Sequence, residues 1–368
     1  MLIGIDASAG WIKTKTGAEN YAKNLILALA KIDRKNQYIL YSPGPLDADF
    51  GNLPTNFKIK ILKYIKFWTH TKLAWEMFRN PPDILFSPSH VLPPLSPKKS
   101  VITVHDFAWK YFPEAYSKTS LWLQKVAVER AKRKKAQIIV YTQSTLRDLK
   151  KFYKISNSKI SFVPMGFDRM HYQKIKACLP AGMACSAEIA GPYILSVGRL
   201  EKRKNTAGII KSYLLLRQER KIKDKLVLVG KPGIGYGEIK NLINGADEIK
   251  KDIIETGYVN DKELRVLYSG ASLFVFPSLV EGFGFPILEA FAAEIPVVTS
   301  NISSMPEVTN GAALLVNPKK PFEIAAAMSQ ILNKSALRRS LVLKGRSRLK
   351  YYSWENCARE TLKVFESL

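Results

Sequence analysis

Two carboxylates eight positions apart, Glu281 and Glu289, bracket a Gly-Phe-Gly turn in the stretch FPSLVEGFGFPILE (276–289). An apolar run, Ala271 to Phe276, reads as a buried strand entering the turn, and an apolar helix leaves it from about Pro286. Gly282 and Gly284 let the backbone turn sharply and come close to a ligand. The unpaired N–H groups of the new helix, with the positive end of its dipole, favour an anion such as phosphate. The carboxylates suit another task, accepting hydrogen bonds from neutral hydroxyls, as on a sugar and a ribose. Upstream, YILSVGRLEKRKN (193–205) reads as a strand, a glycine turn, and then Arg199, Lys204 and Asn205 around a helix start. Arg199 offers a planar fork of donors and Lys204 a mobile point charge, a matched pair for a diphosphate. Two glutamates near a helix start are ordinary by themselves; the basic pair turns the reading toward a nucleotide-sugar site.

Such groups need rigid elements beneath them. Apolar runs alternate with amphipathic stretches through the first half: Leu2 to Asp6 then Glu19 to Ile32, Ser100 to His105 then Leu121 to Lys135, Gln137 to Tyr141 then Ser144 to Phe152. That alternation predicts a parallel sheet covered by helices. Residues Lys176 to Pro192 are small, Pro/Gly-bearing and low in charge, as an interdomain linker would be. The alternation resumes from Tyr193, so two α/β halves are expected: 1–175, the linker 176–192, 193–350, and a last helix over 351–368. Every chemistry-bearing motif lies just after an expected strand, where open parallel sheets bind ligands.

With these pieces assembled, the chain resembles a retaining glycosyltransferase of family 4. The matching segments are GRLEKRKN (198–205), LVLVGKPG (226–233), TGYVNDKEL (256–264), EGFGFPILEA (281–290) and SSMPEV (303–308), in the family's order. Early pieces fit as well: Ile3 to Gly17, VHDFAW (104–109) and FVPMGFD (162–168), so the resemblance spans essentially the whole chain. Through SPSHVLP (87–93) and HDFAWKYFPE (105–114) it is most similar to mannosyltransferases of surface-polysaccharide assembly. The chain departs from the family at Glu294, where glycine is common, at Thr309 and Asn310, and in the loop TKTGAENYAKN (14–24), which keeps Gly17 but lacks a glycine-rich run. A local backbone adjustment is expected at Glu294.

The resemblance implies two Rossmann-like domains facing each other across a cleft, the GT-B type, with the last helix returning to the first, acceptor-side domain. It implies that Arg199 and Lys204 bind the donor diphosphate and stabilise the charge growing on it as the sugar leaves, so that no metal or other cofactor is needed. Glu281 would contact the transferred sugar and Glu289 the ribose, with Phe283, Gly284 and Phe285 beside the diphosphate. Gly257, Tyr258 and Val259 would line the base pocket, with Gly230 and Lys231 behind it; Tyr258 could equally be core. His105 would stand near the transferred sugar, a buried structural histidine being the alternative. Gly17 would let the first-domain loop approach the phosphate.

The formal charge of +26, from 57 Lys+Arg against 31 Asp+Glu, implies an anionic partner or a generally basic, solvated surface. No helix-turn-helix, zinc-finger or RNA-binding strand motif is present, so nucleic acid is not expected. KIKILKYIKFW (58–68) mixes Ile61, Leu62, Ile65, Phe67 and Trp68 with lysines and suits an anionic membrane surface; ERAKRKKAQ (129–137) and RDLKKFYK (147–154) add charge. No apolar run reaches the ~20 residues of a bilayer span. The three cysteines, Cys178, Cys185 and Cys357, have no metal-ligand spacing and read as free thiols. The expected location is the cytoplasm, with peripheral contact at the inner membrane face as an open option. Asp47-Ala48-Asp49 imitates a metal-binding motif of another fold but sits in a Pro/Gly loop and reads as a solvated turn. The expected activity is transfer of a hexose, by first choice mannose from GDP-mannose, to a glycan or lipid-linked acceptor. UDP-sugar transfer, sugar-nucleotide epimerisation, or a basic polyanion-binding protein with a vestigial nucleotide site are the alternatives.

Overall fold

The computed structural model describes residues 1–11, 17–175, 189, 191–219 and 221–368. Most of the expected linker, with Cys178 and Cys185, lies outside the described residues. The chain forms two compact units, Met1–Phe167 with Tyr352–Leu368, and Asp168–Tyr351.

In the first unit the described residues form seven parallel strands: β1 (Leu2–Asp6), β2 (Gln37–Ser42), β3 (Phe57–Ile61), β4 (Ile84–Ser87), β5 (Ser100–Thr103), β6 (Gln137–Val140) and β7 (Ile160–Phe162), in the order β3-β2-β1-β4-β5-β6-β7. The central strands are apolar on both faces because helices cover both. The helices are α1 (Gly17–Ile32), α2 (Lys72–Arg79), the single turn α3 (Ala108–Tyr111), α4 (Lys118–Arg133) and α5 (Gln143–Tyr153). Leu73 and Met77 of α2, Val128 and Ala131 of α4, and Leu149 of α5 share one core with Leu85, Ile102 and Ile138 of the sheet. Ser117 and Thr142 start α4 and α5 by accepting the N–H groups of Ser120 and Thr145.

In the second unit, β8 (Tyr193–Val197), β9 (Lys225–Val229), β10 (Ile253–Gly257), β11 (Leu273–Phe276), β12 (Val297–Ser300) and β13 (Leu314–Val316) form a parallel sheet ordered β10-β9-β8-β11-β12-β13. Its helices are α6 (Thr206–Gln218), α7 (Tyr236–Asn244), α8 (Asp261–Gly270), α9 (Phe285–Ala292), α10 (Met305–Thr309), α11 (Pro321–Asn333) and α12 (Ser335–Leu349). A capping box closes the start of α8, Asn260 accepting the Glu263 N–H and Glu263 the Asn260 N–H. Both sheets change strand order once, at β1/β4 and at β8/β11, the doubly wound Rossmann pattern.

The last helix, α13 (Trp354–Glu366), belongs to the first unit and packs along α1. Gly166 is obligatory for this docking, since a Cβ there would lie 2.2 Å from the Trp354 ring. Phe365 meets Phe86 of β4 with ring centroids 5.3 Å apart.

Candidate active site

The reversal of strand order at β8/β11 opens a crevice beyond the carboxyl ends of those strands, and the strongest sequence candidates lie there. The chain leaves β8 through Gly198, whose φ of +144° suits glycine, and passes Lys204 before α6. Asn205 fixes that return by donating to the carbonyls of Pro277 (3.2 Å) and Pro318 (2.6 Å). Lys204 Nζ stands 4.8 Å from the Phe276 ring centroid and donates to Glu281 Oε1 at 2.5 Å. Arg203 Nη1 donates to Glu281 Oε2 at 3.3 Å, and the Ser278 hydroxyl donates to Oε1 at 2.7 Å. Burial would raise the Glu281 carboxyl, but the Lys204 and Arg203 charges outweigh it and hold it below its ordinary value. Burial lowers Lys204 while Glu281 pulls it back up. Glu281 is therefore an ionised acceptor and is unsuited to act as a general acid.

The turn after Glu281 is braced by SSMPEV. The Glu281 N–H donates to Ser303 Oγ (3.0 Å), the Ser303 hydroxyl donates to the Glu281 carbonyl (2.8 Å), and Ser304 donates to the Phe283 carbonyl (2.8 Å). Gly284 caps α9 with φ +107°, so this helix begins one residue before Pro286. Phe283 is buried, its ring centroid 5.1 Å from that of Phe285.

Glu289 follows on α9, part of its surface still open to solvent. The Tyr268 hydroxyl donates to Oε2 at 2.8 Å, and the Tyr172 hydroxyl is also bonded to the carboxyl. Burial pushes Glu289 up to about 7 against the lowering effect of both tyrosines. Tyr172 also reaches Asp261 (3.5 Å), which His171 Nε2 contacts at 2.6 Å.

Neighbouring strand ends are joined through glycines. The Gly198 N–H donates to the Val229 carbonyl (2.9 Å), and the Gly230 N–H to the Gly257 carbonyl (2.8 Å). Gly230 has φ +142°, and a Cβ on it would lie 2.0 Å from the Gly198 carbonyl oxygen. Beyond them Lys231 Nζ sits 5.2 Å from the Tyr258 ring centroid. Tyr258 is 69% exposed, which removes the core alternative, while Val259 is buried.

His105 and Gly17 lie in the first unit. His105 follows β5, with Nε2 3.0 Å from the Pro88 carbonyl and Nδ1 2.9 Å from the Tyr141 hydroxyl. A carbonyl only accepts, so Nε2 carries the proton and Nδ1 accepts from Tyr141. Burial lowers its basicity against the pull of that carbonyl, Asp106 and Glu19. The ring is thus held neutral with both nitrogens engaged. Gly17 is exposed at the first position of α1. Asp47 caps a short 3₁₀ turn and Asp49 pairs with Lys23, as a solvated turn requires.

The second unit thus brings Lys204, Glu281 and the start of α9 together. Arg199 stands apart, its side chain 67% exposed and 3.8 Å from Glu201. Sequence reasoning passed over Arg203, which bridges Glu201 (3.0 Å) and Glu281 (3.3 Å), as well as Tyr172 and Tyr268. In the run Lys202-Arg203-Lys204 the sequence singles out Lys204, and nothing in it says that Arg203 turns inward as well.

Residues 189–348 match the family described as glycosyl transferases group 1, and residues 15–170 match glycosyltransferase family 4. The O-antigen chain mannosyltransferase B of Escherichia coli is 28% identical over 80% of this chain and 77% of its own length. A serotype-specific mannosyltransferase, WbdA, from the same species is 33% identical over 48% of this chain, which spans only 22% of that longer protein. Sucrose-phosphate synthase from Thermosynechococcus elongatus shares the fold with a TM-score of 0.73 at 18% identity, covering 100% of this chain and 98% of that one. The Anabaena protein HepE, solved with UDP-glucose, does so with a TM-score of 0.70 at 16% identity, covering 100% and 99%. The motifs, the two doubly wound sheets and both family matches agree: the chain belongs to the family 4, group 1 glycosyltransferases.

Proposed function

We propose that this glycosyltransferase moves mannose from GDP-mannose to a glycan or lipid-linked acceptor, with retention of anomeric configuration and without a metal. The observation that carries the reading is the Lys204–Glu281 pair at the β8/β11 switch point, beside the start of α9. The cation and the helix dipole favour the diphosphate, and the ionised Glu281 accepts hydrogen bonds from hydroxyls of the transferred sugar. The exposed Arg199 guanidinium adds a second cation. As the bond from the sugar's anomeric carbon to the phosphate oxygen breaks, negative charge grows on the diphosphate where the two cations can stabilise it. The acceptor oxygen attacks from the face the phosphate leaves, and its proton passes to the departing phosphate. Glu289, in its ionised form, accepts from the ribose, and Tyr258, Val259 and Lys231 flank the base. The roles of Gly17 and His105 follow from the family resemblance; with both ring nitrogens engaged, the histidine acts by shape or by exchanging a partner, and not as a nucleophile.

Mannose is favoured because O-antigen mannosyltransferase B matches over most of both chains. A UDP-sugar donor is the second reading, favoured by the fold shared with HepE in its UDP-glucose complex. Melting of the chain with GDP-mannose, UDP-glucose and ADP-glucose, each with chelator, decides between them. Stabilisation by GDP-mannose alone is expected. A larger shift with UDP-glucose selects the second reading, and no shift with any donor removes both.

A further inference from the structure

Residues 58–79 carry six cations, Lys58, Lys60, Lys63, Lys66, Lys72 and Arg79, and one acid, Glu76. Glu76 is buried and paired with Lys60 at 2.6 Å, so no exposed acid within the segment offsets the other cations. The segment also displays large apolar side chains of the kind a soluble surface normally withdraws. Residues 63–67, Lys-Tyr-Ile-Lys-Phe, are all exposed in succession, Phe67 by 53% and in a left-handed turn with φ +60°. On α2, Leu73 and Met77 face the core, while the opposite side shows Trp75 (56% exposed) and Phe78 (64%) between Lys72 and Arg79. The Trp75 and Phe78 rings lie 5.7 Å apart and form one patch.

α4 extends this surface. Its Val128 and Ala131 join the same core as Leu73 and Met77, so α2 and α4 cover one face of the sheet and both turn their outer sides from it. The outer side of α4 carries Trp122, 62% exposed, between Lys118 and Lys125 at helical spacing. Trp68, an attractive membrane contact from sequence, is not part of the surface. It is buried, and its Nε1 donates to the Leu62 carbonyl at 2.6 Å.

We infer that this face of the first unit, centred on Trp75 and Phe78, docks on an anionic lipid bilayer. Interfacial aromatic rings enter the headgroup layer while the lysines and arginine attract anionic lipids. Charge complementarity selects this occupant: a second copy of the chain would bring the same uncompensated cations against each other. Among the described residues no helix is long and apolar enough to cross a membrane, so this attachment is peripheral. It concerns a surface separate from the proposed donor site and does not depend on which sugar is transferred.

The test is flotation of the full chain with vesicles of phosphatidylglycerol and phosphatidylethanolamine, against pure phosphatidylcholine, at low and high salt. Binding to the anionic vesicles alone is expected, weakening with salt. Each of Lys63→Gln, Lys66→Gln and Lys72→Gln should weaken it about fivefold. Trp75→Ser with Phe78→Ser should weaken it by about tenfold or more, with melting temperature and donor-induced stabilisation unchanged because both side chains are exposed. Quenching of tryptophan fluorescence by brominated anionic lipid should fall in Trp75→Phe. Absence of binding at low salt, equal binding to neutral vesicles, or unaltered binding of the Trp75/Phe78 double variant overturns the proposal. So does a dimer in sedimentation that the double variant abolishes, which would assign the patch to a second copy.

Discussion

Replacing Glu289 by glutamine should stabilise the protein and impair it together, and the pH dependence separates this from an ordinary mutational effect. Glu289 has a folded pKa of about 7, raised by burial from an unfolded value near 4.5. Its stabilising contribution is complete below pH 4.5, where both states hold the proton, and is lost as pH rises toward 7 and the unfolded chain ionises first. The gap corresponds to about 3 kcal/mol, and the partial exposure of the residue makes about 2–3 kcal/mol the working figure. The amide of the substituted side chain keeps an acceptor for the Tyr268 hydroxyl and has no charge to bury. At pH 8 Glu289→Gln should melt about 4–12 °C above wild type, the difference vanishing near pH 4.5, using about 2–4 °C per kcal/mol for a domain of this size. Donor binding should change the opposite way. Wild-type affinity should rise through pH 7 as the carboxylate forms, whereas the variant should be pH-flat and weaker by the ~1.5–3 kcal/mol of a charged hydrogen bond. Melting curves from pH 4.5 to 8, with donor titrations at each, carry the test. Equal melting temperatures at pH 8, or a gain that persists unchanged at pH 4.5, would refute the burial argument.

Lys204→Ala should lower kcat about 10²- to 10³-fold with a smaller effect on binding of the free nucleoside, because its charge matters most as the diphosphate departs; steady-state rates beside nucleoside titrations check this. Gly230→Ala should destabilise the second unit by several kcal/mol, on the order of other severe backbone clashes, since the added Cβ would meet the Gly198 carbonyl at 2.0 Å; denaturant unfolding would show a near-wild-type midpoint if the strand ends can separate. Glu294→Gly should stabilise by about 0.5–1 kcal/mol, because Glu294 holds φ +60° after α9 and its ion pair with Arg346, at 3.4 Å, is exposed; an unchanged or lower midpoint would mean the ion pair outweighs the backbone strain.

The sequence was most legible where a motif ends a buried strand. Gly198, Lys204, Glu281 and Gly284 could be placed because apolar runs fix the strands and parallel sheets present their carboxyl ends to ligands. It was less legible where long side chains choose between solvent and core. In the run Lys202-Arg203-Lys204 the sequence points to Lys204 alone, and only the fold shows Arg203 turned toward Glu281 as well, with Lys202 left outside. Trp68 and Trp75 both sit among lysines, yet only Trp68 finds a carbonyl and a core to enter. Tyr172 and Tyr268 meet at Glu289 from distant segments, a convergence that no local pattern encodes. Glu294, where glycine is common in the family, stands in the left-handed conformation that glycine would take at lower cost.

Lys204, Arg199 and Glu281 are proposed to drive retaining transfer of mannose by electrostatics, without a metal. The most direct measurement is the anomeric configuration of the mannosyl product, followed by NMR during turnover of GDP-mannose in excess chelator. GDP release at an undiminished rate and an α-linked product, the configuration of the donor, are expected. A β-linked product, or turnover that stops with chelator and returns with a divalent cation, would contradict this proposal.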